Sequence, residues 1–259
     1  MPIEFRTKPG LVAYLTIGDP DLATSHAIAL AAIDAGADVL ELGVPFSDPL
    51  ADGPVIQRAS ERAVKNGTRL RDVLALASTL RTERPNAGLI IFSYYNPILR
   101  LGLENFCAAA EQAGIDGVLV TDLIVEEADD YLDALHRHHL APIFLAAPTS
   151  PDARLERIAA VTQGFVYAIS RVGITGAQKS LTSDAEQLVH RLRRYTQLPI
   201  AVGFGISSPE HFAAVGEFAD AAVVGSALVA TIEQAGPKHA PGSIGRFIEG
   251  LRGAPVPAR

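Results

Sequence analysis

The sequence predicts a single (β/α)8 barrel, and three observations predict it. Eight short apolar runs recur along the 259 residues, centred near Ala13, Leu40, Ile91, Leu119, Phe144, Tyr167, Ala201 and Val223. Amphipathic stretches separate them, so no two strands follow one another directly and the sheet they form is parallel. The repeat runs to roughly 22–35 residues per unit, with a longer second unit, and eight such units close a barrel of about 250 residues. An open doubly wound sheet is the alternative, but the GxGxxG fingerprint of its dinucleotide turn is missing.

Each element has its own signal. After the first strand, Ser25–Ala35 carries apolar residues at helical spacing. The second strand, Asp38-Val39-Leu40-Glu41-Leu42, leads into a Pro- and Gly-broken connection from Gly43 to about Pro54, and a helix follows. Further helices are read at Leu70–Arg81, Leu103–Ala113, Ala128–His138, Asp152–Ala160, Ala185–Tyr195 and Pro209–Gly216. Gly114, Gly164 and Gly216 stand where helices stop. Ala141-Pro142 and Thr196–Pro199 mark strand starts. A second long connection runs from Ser170 to about Ser183, with Gly173 and Gly176 around Ile174-Thr175, the composition of a mobile flap. Both long loops, after strands two and six, follow a strand and so lie at the barrel's C-terminal face, where such folds carry their sites. No linker divides the chain: residues 1–252 are read as one TIM barrel and 253–259 as a frayed tail.

Composition narrows the function classes. Net charge is −7 with no run of Lys or Arg, which argues against nucleic acid, whose phosphates need a concentrated basic surface. By the same reasoning a phosphate site would rely on backbone N–H groups and helix N-termini more than on a cationic field. Hydrophobic residues make up 48% of the chain and mean hydropathy is +0.21, which favours a large buried core. No segment holds about 18 uninterrupted apolar residues, so no membrane span is expected. The start MPIEFRTKPG lacks the apolar core of a signal peptide and the single cysteine excludes an intrachain disulfide, so a cytoplasmic location is expected. Asn66-Gly67-Thr68 matches a glycosylation sequon and is read as chance.

One residue breaks the apolar pattern. Glu41 shares a strand face with Val39, opposite Leu40 and Leu42, and a parallel strand is normally apolar on both faces. A carboxylate there costs on the order of several kcal/mol unless paired, hydrogen-bonded or protonated. Asp52 follows on the loop after Pro49. The two form a candidate acid–base pair, Glu41 with a raised pKa in an apolar funnel and Asp52 ionised nearer water. A structural salt bridge for Glu41 and a turn role for Asp52 would also fit. Gly173–Gly176, Gly203-Phe204-Gly205 and Gly225-Ser226 follow strands six, seven and eight, where these barrels commonly hold phosphate, with Ser226 a candidate N-cap. Tyr167, Tyr94 and Phe204 read as core aromatics when each is taken alone. His136, His138 and His139 end a helix before the fifth strand, on the opposite face, and suit the helix dipole better than a metal. Cys107 reads as a small core residue. Together these features suit cleavage or isomerisation of a phosphorylated carbon chain without choosing between them.

The stretch ELGVPFSDPLADGP at Glu41–Pro54 closely resembles the signature of the tryptophan synthase α subunit family. Thr16-Ile17-Gly18-Asp19-Pro20, Tyr94-Tyr95-Asn96-Pro97, Ser170–Gly176, Gly203–Ser207 and Gly225-Ser226 keep the family's order and spacing over roughly residues 9 to 250. The resemblance implies retro-aldol cleavage of indole-3-glycerol phosphate, with Glu41 and Asp52 catalytic. It implies Tyr167, Tyr94, Phe92, Thr175 and Tyr14 in the substrate pocket, and Gly176, Phe204, Gly205, Gly225 and Ser226 at the phosphate. It further implies no cofactor on this chain, and a pyridoxal-phosphate β subunit as partner in an α2β2 heterotetramer. That partner would dock against Pro49–Gly53 and the loop Asp122–Glu127. There the sequence departs from pattern, since Ile124 stands where the family usually has Pro. A stand-alone lyase and a catalytically silent barrel acting as a binding subunit are the alternatives.

Overall fold

The computed structural model describes residues 3–169, 178–203 and 205–253, with only the backbone of 178–182. It begins with β1 (Gly10–Thr16), α1 (Leu22–Asp34), β2 (Val39–Gly43), α2 (Pro54–Lys65) and α3 (Leu70–Glu83). The middle holds β3 (Gly88–Ser93), α4 (Tyr95–Leu101), α5 (Leu103–Gln112), β4 (Gly117–Val120), α6 (Asp129–Arg137), β5 (Ala141–Ile143) and β6 (Leu145–Ala146). The last third is α7 (Asp152–Val161), β7 (Val166–Ile169), α8 (Gln178–Leu192), β8 (Ile200–Gly203), α9 (Pro209–Phe218), β9 (Ala221–Val224) and α10 (Ser226–Arg252).

All strand pairings are parallel, in the order β5-β4-β3-β2-β1-β9-β8-β7-β6. β5 and β6 are two halves of one predicted strand, broken at Phe144. The first half bonds to β4 and the second to β7, and the Phe144 carbonyl accepts the Tyr167 amide at 3.2 Å. The sheet therefore closes on itself, and the predicted barrel stands.

Strand alternation divides the core in two. Val12, Val39, Ile90, Leu119, Ile143, Ala201 and Val223 fill the barrel interior, joined by Ile3 and Phe165 at its base. Leu11, Leu40, Leu42, Leu89, Ile91 and Val118 face outward into a larger cluster with the helices. Both strand faces are dry, which is why the strands read as unbroken apolar runs.

The N-terminal rim is sewn by a repeated device. Asp38, Asp116 and Asp220 each stand just before a strand and accept an early amide of its neighbour: Leu11 at 2.9 Å, Leu89 at 2.8 Å and Ile200 at 2.8 Å. Each carboxylate also meets arginine: Arg6 and Arg252 for Asp38, Arg81 for Asp116, and Arg193 for Asp220. Charge-assisted bonds of this kind satisfy strand ends that no ladder can reach.

Several boundaries differ from expectation. α8 begins at Gln178, so the second long connection is shorter than the predicted 170–183. α9 runs past Gly216 to Phe218. A Cβ at Gly216 would lie 2.6 Å from Pro9 Cδ, so that glycine serves a close contact and not a helix stop. Gly114 and Gly164 do follow helices in the left-handed region, at φ 74° and 76°. α4 escaped the pattern reading because its cap comes from elsewhere: the Tyr95 amide donates to Asp122 at 2.7 Å. His138 lies between the carboxylates of Glu111 and Glu104.

Candidate active site

Glu41 sits in β2 with Tyr14 beside it on β1 and Ile90 on β3. Its side chain shares the inward face with Val39. It is fully buried, and neither carboxyl oxygen has a hydrogen-bond partner among the described residues. Loss of solvent with nothing to replace it disfavours the charged form, and burial pushes the pKa up to about 8. The apolar-funnel expectation for Glu41 is met, and no salt bridge to it is found among the described residues.

Asp52 follows a tight turn in which its amide donates to the Pro49 carbonyl at 3.1 Å. The Tyr94 hydroxyl donates to its carboxylate at 3.0 Å. Partial burial raises its pKa above the ordinary carboxylate value, and the Tyr94 bond opposes that rise. It is thus less exposed to water than expected for a loop acid. The contrast with Glu41 survives as a contrast of solvation: one acid retains a hydrogen bond, while the other has none among the described residues.

Two tyrosines lie within electrostatic reach of both acids. Burial first, then the charge of Asp52 and more weakly of Glu41, pushes the Tyr14 phenol far up. Tyr167 is raised by burial, then by Glu41, Tyr14 and Asp52. Tyr14 meets Phe92 edge-on at 5.0 Å, forming an apolar aromatic wall. Glycines that end strands make room for both hydroxyls. A Cβ at Gly43 would lie 2.5 Å from the Tyr14 oxygen, and one at Gly203 would lie 2.9 Å from that of Tyr167. The sequence reading missed Gly43 and took Gly203 for part of a phosphate cradle. The signal was present, because β2 and β8 both end an apolar run on glycine.

At the far side of the mouth, Gly205 has φ 79°, a conformation that side chains oppose. Gly225 is the N-cap residue of α10, so Ser226 is the first helical residue and not the cap that was expected. A glycine at the cap offers no side chain to the helix's leading N–H groups. Thr175, Gly176 and Phe204 lie outside the described residues. A surface groove of about 640 Å³ runs along the outer side of the loop after β2, between Phe46 and Lys65, and neither acid lines it.

The fold and the site together define a class: a (β/α)8-barrel enzyme with its chemistry at the C-terminal mouth. The family described as tryptophan synthase alpha chain matches residues 3–244. The tryptophan synthase alpha chain of Solibacter usitatus is 52% identical over 232 residues, covering 90% of this chain and 86% of its own. The solved tryptophan synthase subunit alpha from Legionella pneumophila superposes with TM-score 0.87 at 35% identity, over 95% of this chain and 92% of that one. A chain in the tryptophan synthase complex from Pyrococcus furiosus gives TM-score 0.86 at 38% identity, over 95% and 98%. The chain belongs to the tryptophan synthase alpha chain family. It is a lyase of tryptophan biosynthesis, responsible for the half-reaction that cleaves indole-3-glycerol phosphate.

Proposed function

We propose that Glu41 and Asp52 carry out this cleavage, releasing indole and glyceraldehyde 3-phosphate, and that the observation bearing most weight is the buried Glu41 carboxyl, which has no partner among the described residues. Indole leaves poorly as a carbanion until its C3 is protonated. Glu41, protonated near neutrality by its raised pKa, gives that proton to C3 and forms the indolenine. The resulting carboxylate takes the proton of the glycerol hydroxyl as the C–C bond breaks, so the proton count closes. The bond's electron pair returns to the ring, and the hydroxyl carbon becomes the aldehyde. Asp52 accepts the ring N–H and stabilises the positive charge that develops there. Tyr14, Phe92 and Tyr167 wall the flat ring, with Thr175 assigned to the pocket by resemblance. The glycine-capped start of α10 at Gly225 and Ser226, with the left-handed turn at Gly205, supports main-chain anchoring of the phosphate, to which Gly176 and Phe204 are added by resemblance. Binding energy from that remote group holds the ring in place for reaction.

The chain is further proposed to need no cofactor of its own, to work in the cytoplasm, and to pass indole to a pyridoxal-phosphate β subunit in an α2β2 assembly. Among the described residues no helix is long and apolar enough to cross a membrane. Large apolar side chains stand exposed in the segments that follow β2, β3 and β4: Leu50 at 91% in the loop, Leu99 at 52% on α4 and Ile124 at 48%. Their position after three adjacent strands, on the face where those strands end, favours partner docking there over a stand-alone lyase.

The test is indole release from indole-3-glycerol phosphate, with and without a cognate β subunit. Glu41→Gln is expected to lower turnover by about 10²–10⁴-fold while affinity for a phosphate ligand stays within about tenfold. Unchanged turnover would refute the assignment, and absence of indole release by the unaltered protein with its partner would favour a silent binding barrel.

A further inference from the structure

We propose that Tyr94 is a positioning residue that sets the Asp52 carboxylate over the mouth by tying down the loop between β2 and α2, beyond its assignment as a pocket wall. Its hydroxyl accepts the Ala51 amide at 2.9 Å and donates to Asp52 at 3.0 Å. One oxygen thus grips the backbone of one residue and the side chain of the next. A pocket wall needs only the ring; this geometry uses the hydroxyl.

The tether has a rigid base. Tyr94 is 5% exposed and directly follows β3, and the helix that starts beside it is held through the bond from Tyr95 to Asp122. At the loop's other end the Phe46 ring stacks on Tyr94, centroids 5.0 Å apart and planes 30° apart. The Phe46 amide in turn donates to Ser60 in α2 at 3.2 Å. Tyr94 therefore meets the loop at both ends, by its ring at Phe46 and by its hydroxyl at Ala51 and Asp52. Replacing it with Phe keeps the stack and removes only the hydroxyl's two bonds.

The inference rests on the proposed contact of Asp52 with the substrate ring. It is tested by a double-mutant cycle on binding. The unaltered protein, Tyr94→Phe, Asp52→Asn and the double variant are titrated with a non-cleavable indolylalkyl phosphate and with glycerol 3-phosphate, and thermal unfolding checks that each is folded. Tyr94→Phe is expected to weaken the indolyl ligand about five- to tenfold and glycerol phosphate by less than about twofold. In the Asp52→Asn background it should add less than about twofold, because its route of action is gone. Equal losses in both backgrounds, or equal losses for both ligands, overturn the proposal. If Asp52→Asn weakens the indolyl ligand and Tyr94→Phe does not, this inference alone falls. If Asp52→Asn leaves that ligand unaffected, the Asp52 assignment falls and this inference with it.

Discussion

Asp38 and Glu41 are separated only by Val39 and Leu40, and both are out of water, yet they are treated in opposite ways. The Asp38 side chain is 1% exposed and accepts from the Leu11 amide, Arg6 and Arg252. Glu41 is 0% exposed and, among the described residues, has no partner at either oxygen. The first lies on the N-terminal rim and the second within the mouth. In these barrels the bottom of the fold carries stability and the top carries function, and the two acids divide along that line. An acid whose lone pairs are all engaged holds strands together. An acid left unsolvated and unpaired stores a cost that a substrate's proton chemistry can use.

Breaking the pairing at the rim should have the largest effect on folding. Asp38→Ala leaves the half-buried Arg252 guanidinium and the Leu11 amide without their carboxylate. It is expected to cost about 3–5 kcal/mol, read as a lower urea midpoint, with turnover per folded molecule nearly unchanged. A loss under about 1 kcal/mol would show that the rim pairing is decorative.

The converse experiment removes the unpaired acid. Glu41 has a folded-state pKa above its unfolded value, so between about pH 4.5 and 8 the native chain binds more protons than the unfolded chain. Stability contributed by its protonated form is complete below the unfolded pKa and is lost as pH rises toward 8. Glu41→Gln, which cannot ionise, should therefore match the parent near pH 4 and exceed it by roughly 2–4 kcal/mol near pH 8. Denaturant titrations at the two pH values check it. A pH-independent difference would mean that Glu41 is not held protonated.

The smallest effect sharpens the gradation within the rim itself. The Asp220 side chain is 29% exposed, against 1% for Asp38, while making the same kind of contacts to Arg193 and the Ile200 amide. Asp220→Asn should cost only about 1 kcal/mol, because water competes for the same groups. Thermal unfolding of the single variant measures it, and a loss as large as that of Asp38→Ala would remove burial as the deciding variable.

Much of this was legible in the chain. The strand centres fall within or between the observed strands, and Glu41 betrayed itself as the one acid in an apolar run. Asp52 was legible through the Pro-broken loop that carries it. What escaped shares one feature: each depends on a partner distant in sequence. The cap of α4 is Asp122, from the next strand's connection. Gly216 makes way for Pro9, and Gly43 makes way for Tyr14. Asp52 proved more buried than a loop acid suggests, and its hydrogen-bond partner there, Tyr94, comes from the end of β3. The expected N-cap role of Ser226 missed by one residue, within the usual uncertainty of a helix boundary.

By itself the sequence determined the repeat of strand and helix, and with it a parallel closed sheet, because apolar periodicity is a local property of the chain. It also determined that residue 41 would be an acid on the same strand face as Val39, opposite Leu40 and Leu42, since alternation follows from the pleat; which of those faces looks into the barrel came from the closed sheet. Only the tertiary structure decided which acids are satisfied. Desolvation and hydrogen bonding are sums over neighbours brought together by folding, and nothing in the order Asp38-Val39-Leu40-Glu41 says that the first acid meets arginines while the last, among the described residues, meets none.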